Sequence, residues 1–284
     1  VRTTVGSELV AGVEPSQIDP CLTTLTLTTA DSFAEAEAVR SALVAVTQDP
    51  ALAGRITAST NGLYRLASVP DDPRFGALWG LLNSGQLVGS DAGVAGQDVN
   101  VVPLWGAGIT GDAGVIVAVA DPGILDHPDL QPNIWSGCVS DPGQCDLVAG
   151  QSPADNPAFP HGTLVSGVIA ARGDDGVGSA GVTWGSTLMP LKICGADGYC
   201  TNADLVEAIS FARSHGAKVL NLSLGSPVYS QTVASAVASA SDLLVVAGAG
   251  NEGSDAPFYP AALPYAHVLS VAGIDNRGQL ARFT

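Results

Sequence analysis

The chain has 284 residues, 46% of them hydrophobic and 13% charged, which is the composition of a globular protein that can bury a full core. Its 27 acidic residues outnumber 11 basic ones and give a net charge of −16, which opposes any function that depends on neutralising nucleic-acid phosphates. The longest apolar runs, near 115–120 and 243–250, are the length of strands and too short to span a bilayer. We therefore expect no nucleic acid and no membrane among the partners, and we interpret the scattered acidity as favouring solubility rather than a calcium store.

The N-terminal part of the chain predicts a small α+β unit over residues 1–68. Residues 22–28 alternate apolar side chains with threonine, as a strand does, and Ser32 with Glu35 has capping-box spacing for the helix that follows. Apolar residues recur in that helix at 39–46, and Asn61-Gly62 marks a turn. The run 69–73 holds two prolines with acids between them and predicts an extended, exposed linker to a second domain, 69–284.

From Gly114 onward the apolar runs no longer alternate with polar residues, and helical patterns separate them. Strands of this type are buried on both faces, and strand-helix alternation indicates a mostly parallel sheet between helical layers. The predicted fold class is thus α/β, a three-layer sandwich preceded by the small α+β unit. The predicted strands are 115–120, 188–193, 219–224, 243–247 and 267–271, and the clearest helices are 204–214 and 231–240.

Four of the five cysteines fall into close pairs, Cys138 with Cys145 and Cys194 with Cys200, each flanking a loop that contains glycine. Neither pair has C-x-x-C spacing and no histidine lies beside them, so two loop-closing disulfides are favoured over a zinc site. Disulfides indicate an oxidising compartment. Cys21 is left either free or paired with a group outside this sequence.

Three polar residues stand where a parallel sheet gathers its functional groups. Asp121 directly follows the predicted strand 115–120, His161 begins a predicted helix rich in small residues, and Asn251 follows the strand 243–247. Taken singly, Asp121 could only start a turn and His161 could be a surface cap. Together they suit acyl transfer, with a carboxylate orienting an imidazole and an amide donating to an oxyanion.

The segment 248–253 also matches the dinucleotide-binding pattern G-x-G-x-x-G, which makes a dinucleotide-dependent oxidoreductase an alternative function. That alternative requires a helix beginning near Gly250 to bind the pyrophosphate. Pro257, Pro260 and Pro264 follow instead, and they argue against such a helix.

The order of these motifs resembles that of the subtilases, the subtilisin-like serine proteases. The motifs are Asp121-Pro122-Gly123 after a strand, His161-Gly162-Thr163 at a helix start, the run 221–225 (Asn-Leu-Ser-Leu-Gly) and Gly250-Asn251-Glu252-Gly253. The resemblance extends from about Val69 to Thr284, and by position the unit 1–68 resembles the tail of an inhibitory propeptide.

The resemblance implies a secreted endopeptidase, made as a zymogen, that hydrolyses proteins or peptides and is inhibited by its own propeptide. Asp121 would hold the tautomer of His161, His161 would deprotonate a serine, and Asn251 would stabilise the oxyanion. Ser223, Leu224 and Gly225 would pair with the substrate backbone as an added strand. The resemblance also implies calcium as a structural cofactor, with Asp72 and Asp129 as ligands and Asp174 and Asp175 as weaker candidates.

Two residues, Pro122 and Leu164, depart from the family pattern, and the nucleophilic serine is expected outside this sequence. Pro122 stands where members have threonine or serine, so a hydrogen bond to Asp121 is expected to be absent. Leu164 stands where many members have a second histidine. This change is milder, because the side chain at this position only has to pack. The nucleophilic serine would follow Thr284, so residues 1–284 should be inactive. The alternative function is a catalytically dead homologue that binds peptides at 222–225.

Overall fold

A computed structural model describes residues 10–15, 23–27, 69–148, 154–158, 160–195 and 197–284. The chain divides into two compact units, Val1–Tyr64 and Arg65–Thr284. In the first unit, β1 (Val10–Pro15) pairs antiparallel with β2 (Thr23–Leu27), and β2 lies within the strand predicted at 22–28. The helix predicted at 39–46, the turn at Asn61-Gly62 and Cys21 lie outside the described residues.

The second unit is built around a five-stranded sheet in which every neighbouring pair of strands is parallel. Its strands are β5 (Ile116–Asp121), β6 (Thr187–Lys192), β7 (Val219–Leu222), β8 (Leu244–Gly248) and β9 (Val268–Val271). Their order in the sheet is β6-β5-β7-β8-β9. A short antiparallel pair, β3 (Leu87–Val88) with β4 (Asp91–Ala92), lies outside this sheet.

Helices cover both faces of this sheet. Neighbouring residues of a strand point to opposite faces. Ala118 and Leu220 pack in one core with residues of α4 and α5, whereas Val119 packs in another with Ala170 of α3. The three-layer α/β prediction is therefore confirmed. The helices are α1 (Val102–Gly106), α2 (Ser136–Ser140), α3 (His161–Ala170), α4 (Asn202–Ser214) and α5 (Gln231–Ser239).

Burial on both faces holds for β5 and for β6 after Thr187, and it fails for β9. In β5 every residue after Ile116 is buried, because β5 has a strand on each side and a helical layer on each face. In β9, Leu269 and Val271 are about half exposed, at 52% and 46%. The prediction of two-sided burial is therefore wrong for β9. Among the described residues β6 also has one strand neighbour and is buried, so position at an edge does not by itself expose a strand.

The segment 69–73, predicted to be an exposed linker, belongs to the second unit and is partly buried in it. Pro70 and Asp72 are buried, and Phe75, which follows directly, makes an edge contact with Trp105 at 6.0 Å between ring centroids. Proline content predicted the lack of regular structure in this run. It gave no information on burial, which depends on contacts with residues distant in sequence.

Both predicted disulfides are formed, Cys138–Cys145 and Cys194–Cys200. The first joins α2 to the short 3-10 turn Pro142–Cys145. The second closes the loop between β6 and α4. Among the helices of the described residues, none has both the length and the apolar character needed to cross a bilayer.

Candidate active site

The topology of the sheet brings the predicted catalytic residues to one edge. Asp121 is the last residue of β5, Ser223 directly follows β7, and Asn251 lies three residues after the end of β8. These three strands are adjacent and parallel, so their carboxyl ends lie together. The sequence predicted this convergence from the order of strands and motifs.

Asp121 and His161 form a directly bonded pair. His161 is the first residue of α3, and its Nδ1 lies 2.6 Å from Oδ1 of Asp121. Asp121 is 2% exposed, whereas the side chain of His161 is 35% exposed. The imidazole is therefore held from the protein side by a buried carboxylate and open to solvent on another side.

Glycine at position 162 allows the close approach that this pair needs. A Cβ atom there would collide with the carbonyl oxygen of Gly123 and would lie 3.0 Å from Oδ1 of Asp121. Any larger residue would push the first turn of α3 away from the end of β5. Close packing was predicted from the small residues after His161, and the structure confirms it.

Burial dominates the electrostatics of Asp121. Desolvation raises its pKa from 3.8 to about 6, the hydrogen bond and charge of His161 oppose that rise, and the charge of Asp155 adds to it. The second oxygen, Oδ2, is buried and has no hydrogen-bond partner among the described residues. Pro122 carries neither a hydroxyl nor an N–H, in agreement with the expectation that a bond to Asp121 is absent.

A second buried carboxylate, Asp155, holds the first turn of α3. It is 3% exposed, and its Oδ2 accepts from both the backbone N–H and the hydroxyl of Thr163, each at 2.8 Å. The Thr163 hydroxyl in turn accepts from the N–H of Leu125 at 2.9 Å. A carboxylate at a helix N-terminus is favourable in charge and satisfies free N–H groups. Asp155 was not predicted as a site residue, because it lies six residues before α3 and carries no local capping signal.

One cleft of about 850 Å³ joins the predicted residues. Its lining includes His161, the segment 223–225, Gly250 and Asn251. The three predicted catalytic residues and the three predicted substrate-binding residues therefore surround a common space, except that Asp121 lies buried behind His161.

The segment 223–225 runs past the end of the sheet along this cleft. The strand β7 ends at Leu222, two residues earlier than predicted, and Ser223 and Gly225 are exposed. The next residue, Ser226, exchanges two backbone hydrogen bonds with Tyr259, at 2.9 and 2.8 Å. Gly225 is required here because a Cβ atom would collide with the ring of Phe258. The segment is thus anchored at both ends and presents an extended, accessible backbone.

Asn251 lies in an exposed turn on the same cleft. The preceding residue, Gly250, has φ +118°, a backbone conformation that residues with a side chain rarely adopt. The backbone N–H of Asn251 donates to Oε2 of Glu252 at 2.8 Å. Residues 249–267 are all described and contain no helix. The dinucleotide alternative, which requires a helix at Gly250, is therefore excluded on its own criterion.

A separate acidic cluster forms away from the cleft. Asp72, Asp129 and Asp175 each offer a carboxylate oxygen, and these three oxygens lie within 4.8 Å of one another. The sequence predicted Asp72 and Asp129 as metal ligands and ranked Asp174 and Asp175 below them. The structure brings the first two together and adds Asp175.

Two oxygens of this cluster lack a hydrogen-bond donor. Asp72 and Asp129 each direct Oδ2 at a backbone N–H of the loop 174–179, of Asp174 at 2.7 Å and of Ser179 at 2.9 Å. Oδ1 of each is buried and has no partner among the described residues. Burial raises the pKa of Asp129 and the charge of Asp175 adds to this, while the Ser179 N–H opposes it. Converging, unpartnered carboxylate oxygens suit a hard divalent cation such as calcium.

Comparison with known proteins agrees with this site. The sequence model described as the Subtilase family matches residues 112–284, more than half of the chain. Subtilisin BL from Lederbergia lenta is 39% identical over 179 residues, which are 62% of this chain and 61% of that protein. The thermophilic serine proteinase of Bacillus sp. (strain AK1) is 33% identical over 182 residues, 61% of this chain and 42% of that protein.

A solved structure shows the same relationship. A protease from Pseudoalteromonas arctica PAMC 21717 matches with a TM-score of 0.59 and 28% identity, over 76% of this chain and 69% of that one. The chain spans about 61% of the length of Subtilisin BL and less of several other relatives. The family match over residues 112–284 includes the five-stranded sheet, α3 and the residues named above as lining the cleft. The chain therefore belongs to the subtilase family.

Proposed function

We propose that the complete protein is a serine-type endopeptidase that hydrolyses protein or peptide substrates through an Asp-His-Ser triad. The observation that carries this proposal is the 2.6 Å contact between His161 Nδ1 and the buried Asp121, at the wall of a cleft that also exposes the segment 223–225. A paired, half-exposed imidazole is the arrangement that activates a hydroxyl nucleophile.

The contact assigns a role to each ring nitrogen. Because Asp121 Oδ1 is an acceptor, Nδ1 carries the proton and Nε2 keeps the lone pair that removes a proton from the serine. The imidazolium that forms is stabilised by the Asp121 carboxylate. His161 then returns the proton to the leaving amine.

Two further groups on the cleft act on the substrate. The Asn251 side-chain amide stabilises the negative charge that develops on the carbonyl oxygen. Ser223, Leu224 and Gly225 align the substrate by pairing with it as an added strand, a mode that needs the accessible backbone described above. The backbone sets the direction of the peptide, while the side chains lining the cleft select its residues.

The remaining parts of the proposal concern the whole protein. The nucleophilic serine follows Thr284, so residues 1–284 alone do not hydrolyse peptides. The unit before residue 69 acts as a propeptide that inhibits the enzyme until it is cleaved near 68–73. The enzyme is secreted, a location that suits its two disulfides.

The direct test uses the full-length protein, including whatever its gene encodes after Thr284. We expect it to hydrolyse casein after maturation and to react with a serine-directed fluorophosphonate at one serine located after Thr284, as identified by peptide mass spectrometry. A folded protein that neither reacts nor hydrolyses casein would contradict the proposal. It would favour the alternative, a peptide-binding homologue in which Pro122 leaves Asp121 poorly supported.

We also propose that Asp72, Asp129 and Asp175 hold a structural calcium ion. Both unpartnered Oδ1 atoms would become ligands, and the ion would neutralise the mutual repulsion of three carboxylates. Bound there, the ion would tie the segment before Phe75 to the loop 174–179. Its contribution is to stability and not to the reaction.

Removing calcium is expected to destabilise the protein. At a free concentration of 100 times Kd, a ligand that binds only the folded state adds about 2.7 kcal/mol, which corresponds to a rise in Tm of about 5–10 °C for a domain of this size. We expect EDTA to lower the Tm by that amount in the wild type and to have little effect in Asp129→Asn, which keeps an acceptor for the Ser179 N–H. The control Asp98→Asn alters another aspartate that binds backbone N–H groups, and it should retain the full response. An equal response in Asp129→Asn would place the ion elsewhere.

A further inference from the structure

Lys192 is a buried cation beside the catalytic pair. It is the last residue of β6, it is register-paired with Asp121 of β5, and it is 4% exposed. The sequence contains only one other lysine, Lys218, which is exposed at the opposite end of the sheet, just before β7. Burying an ammonium group is costly unless its hydrogen bonds are satisfied, so its partners matter.

Those partners are two backbone carbonyl groups. The Nζ of Lys192 donates to the carbonyl oxygen of Pro122 at 2.5 Å and to that of Ala154 at 3.3 Å. Each carbonyl belongs to a residue adjacent to a buried carboxylate, Asp121 in the first case and Asp155 in the second. One ammonium group therefore joins the two chain segments that carry these acids.

Both acids act on the first turn of α3. Asp121 binds the imidazole of His161, and Asp155 binds the N–H and hydroxyl of Thr163 two residues later. The distance between the two segments therefore fixes where the imidazole lies relative to the end of β5. Pro122 has no backbone N–H, so its carbonyl oxygen is the backbone group through which a hydrogen bond can hold it in place. Lys192 supplies that hydrogen bond.

We propose that Lys192 is a positioning residue that holds the Asp121 and Asp155 segments together and so orients His161. It acts through its hydrogen bonds to the two carbonyl groups. The kinetic consequence of this inference rests on the proposed peptidase function. The structural consequence, a weaker bond between His161 and Asp121, does not.

The test compares Lys192→Met with Lys218→Met in the full-length protein. Methionine has a similar length to lysine but cannot donate. We expect Lys192→Met to lower kcat by about 10- to 100-fold, as misplaced catalytic groups do, with KM changed by less than about 2-fold. The far-downfield proton NMR resonance of His161 Nδ1 should broaden or vanish. Lys218→Met should alter neither quantity.

The outcomes separate the two proposals. If the wild type does not hydrolyse peptides but Lys192→Met still removes the His161 resonance, the peptidase proposal fails and the positioning proposal stands. If Lys192→Met keeps both kcat and the resonance, the positioning proposal is wrong.

A measurement on the unmutated lysine covers the case in which Lys192→Met does not fold. Selective 15N labelling of lysine Nζ gives an ammonium signal for each lysine, and the Lys218 signal is assigned by its loss in Lys218→Met. We expect the Lys192 signal to be in slow exchange, to show coupling across hydrogen bonds to the carbonyl carbons of Pro122 and Ala154, and to shift in His161→Ala, while the Lys218 signal does not move. A Lys192 signal in rapid exchange, or one that is insensitive to His161→Ala, would overturn the inference.

Discussion

Replacing His161 with alanine is expected to lower kcat of the complete, mature protein by about 10⁶-fold, a magnitude known from loss of the triad base in subtilisin itself. The reason is that Nε2 of His161 is the group placed to take the serine proton, with Nδ1 committed to Asp121 at 2.6 Å. Without the imidazole the serine stays protonated and unreactive at neutral pH. The measurement is peptide hydrolysis under saturating substrate.

His215→Ala provides the matched control. His215 lies at the end of α4, where it stacks on Phe211 at 4.0 Å between ring centroids. It is exposed and does not line the cleft. We expect its loss to leave kcat unchanged, whereas a His161→Ala enzyme that keeps activity within about 10-fold of the wild type would exclude His161 as the general base.

Replacing Asp121 with asparagine is expected to lower kcat by about 10⁴-fold, as the equivalent change does in other serine proteases. The amide cannot stabilise the imidazolium and allows the wrong tautomer of His161. A raised Asp121 pKa also predicts that wild-type kcat/KM declines as pH falls through about 6, because the protonated carboxyl no longer balances the imidazolium charge.

The same substitution is expected to raise stability at alkaline pH. Since folding raises the pKa of Asp121 from 3.8 to about 6, the protonated form is favoured in the folded state. That contribution is fully present below about pH 3.8 and is lost as pH rises through about 6, where the buried carboxylate is ionised. Asparagine carries no charge at any pH.

Rapid thermal scanning of wild type and Asp121→Asn at pH 4 and pH 8 measures this difference, with scans short enough to limit autolysis. We expect the variant to gain Tm relative to the wild type on going from pH 4 to pH 8. A relative loss at pH 8 would mean that the ionised bond to His161 outweighs the cost of burying Asp121.

The sequence alone determined the central architecture and predicted the residues of the candidate site. Long apolar runs without alternation identified all five strands of the parallel sheet to within two residues, because burial on both faces, as in β5 and β6, leaves that signature in composition. Asp121, His161 and Asn251 were predicted because each lies at or close to the end or the start of an element, so a local motif contains the whole signal. The cysteine pairs were equally local, with sequence separations of seven and six between partners.

Only the tertiary structure revealed the groups that support these residues. Asp155 and Lys192 act on partners 8 to 70 positions away in sequence, through hydrogen bonds that no local pattern records. Asp175 was a weaker candidate in the sequence, and only the fold brings it to Asp72 and Asp129. The buried side of the 69–73 segment and the exposed face of β9 were predicted wrongly for the same reason. Periodicity reports whether a residue suits an interior, whereas burial depends on which distant segment packs over it.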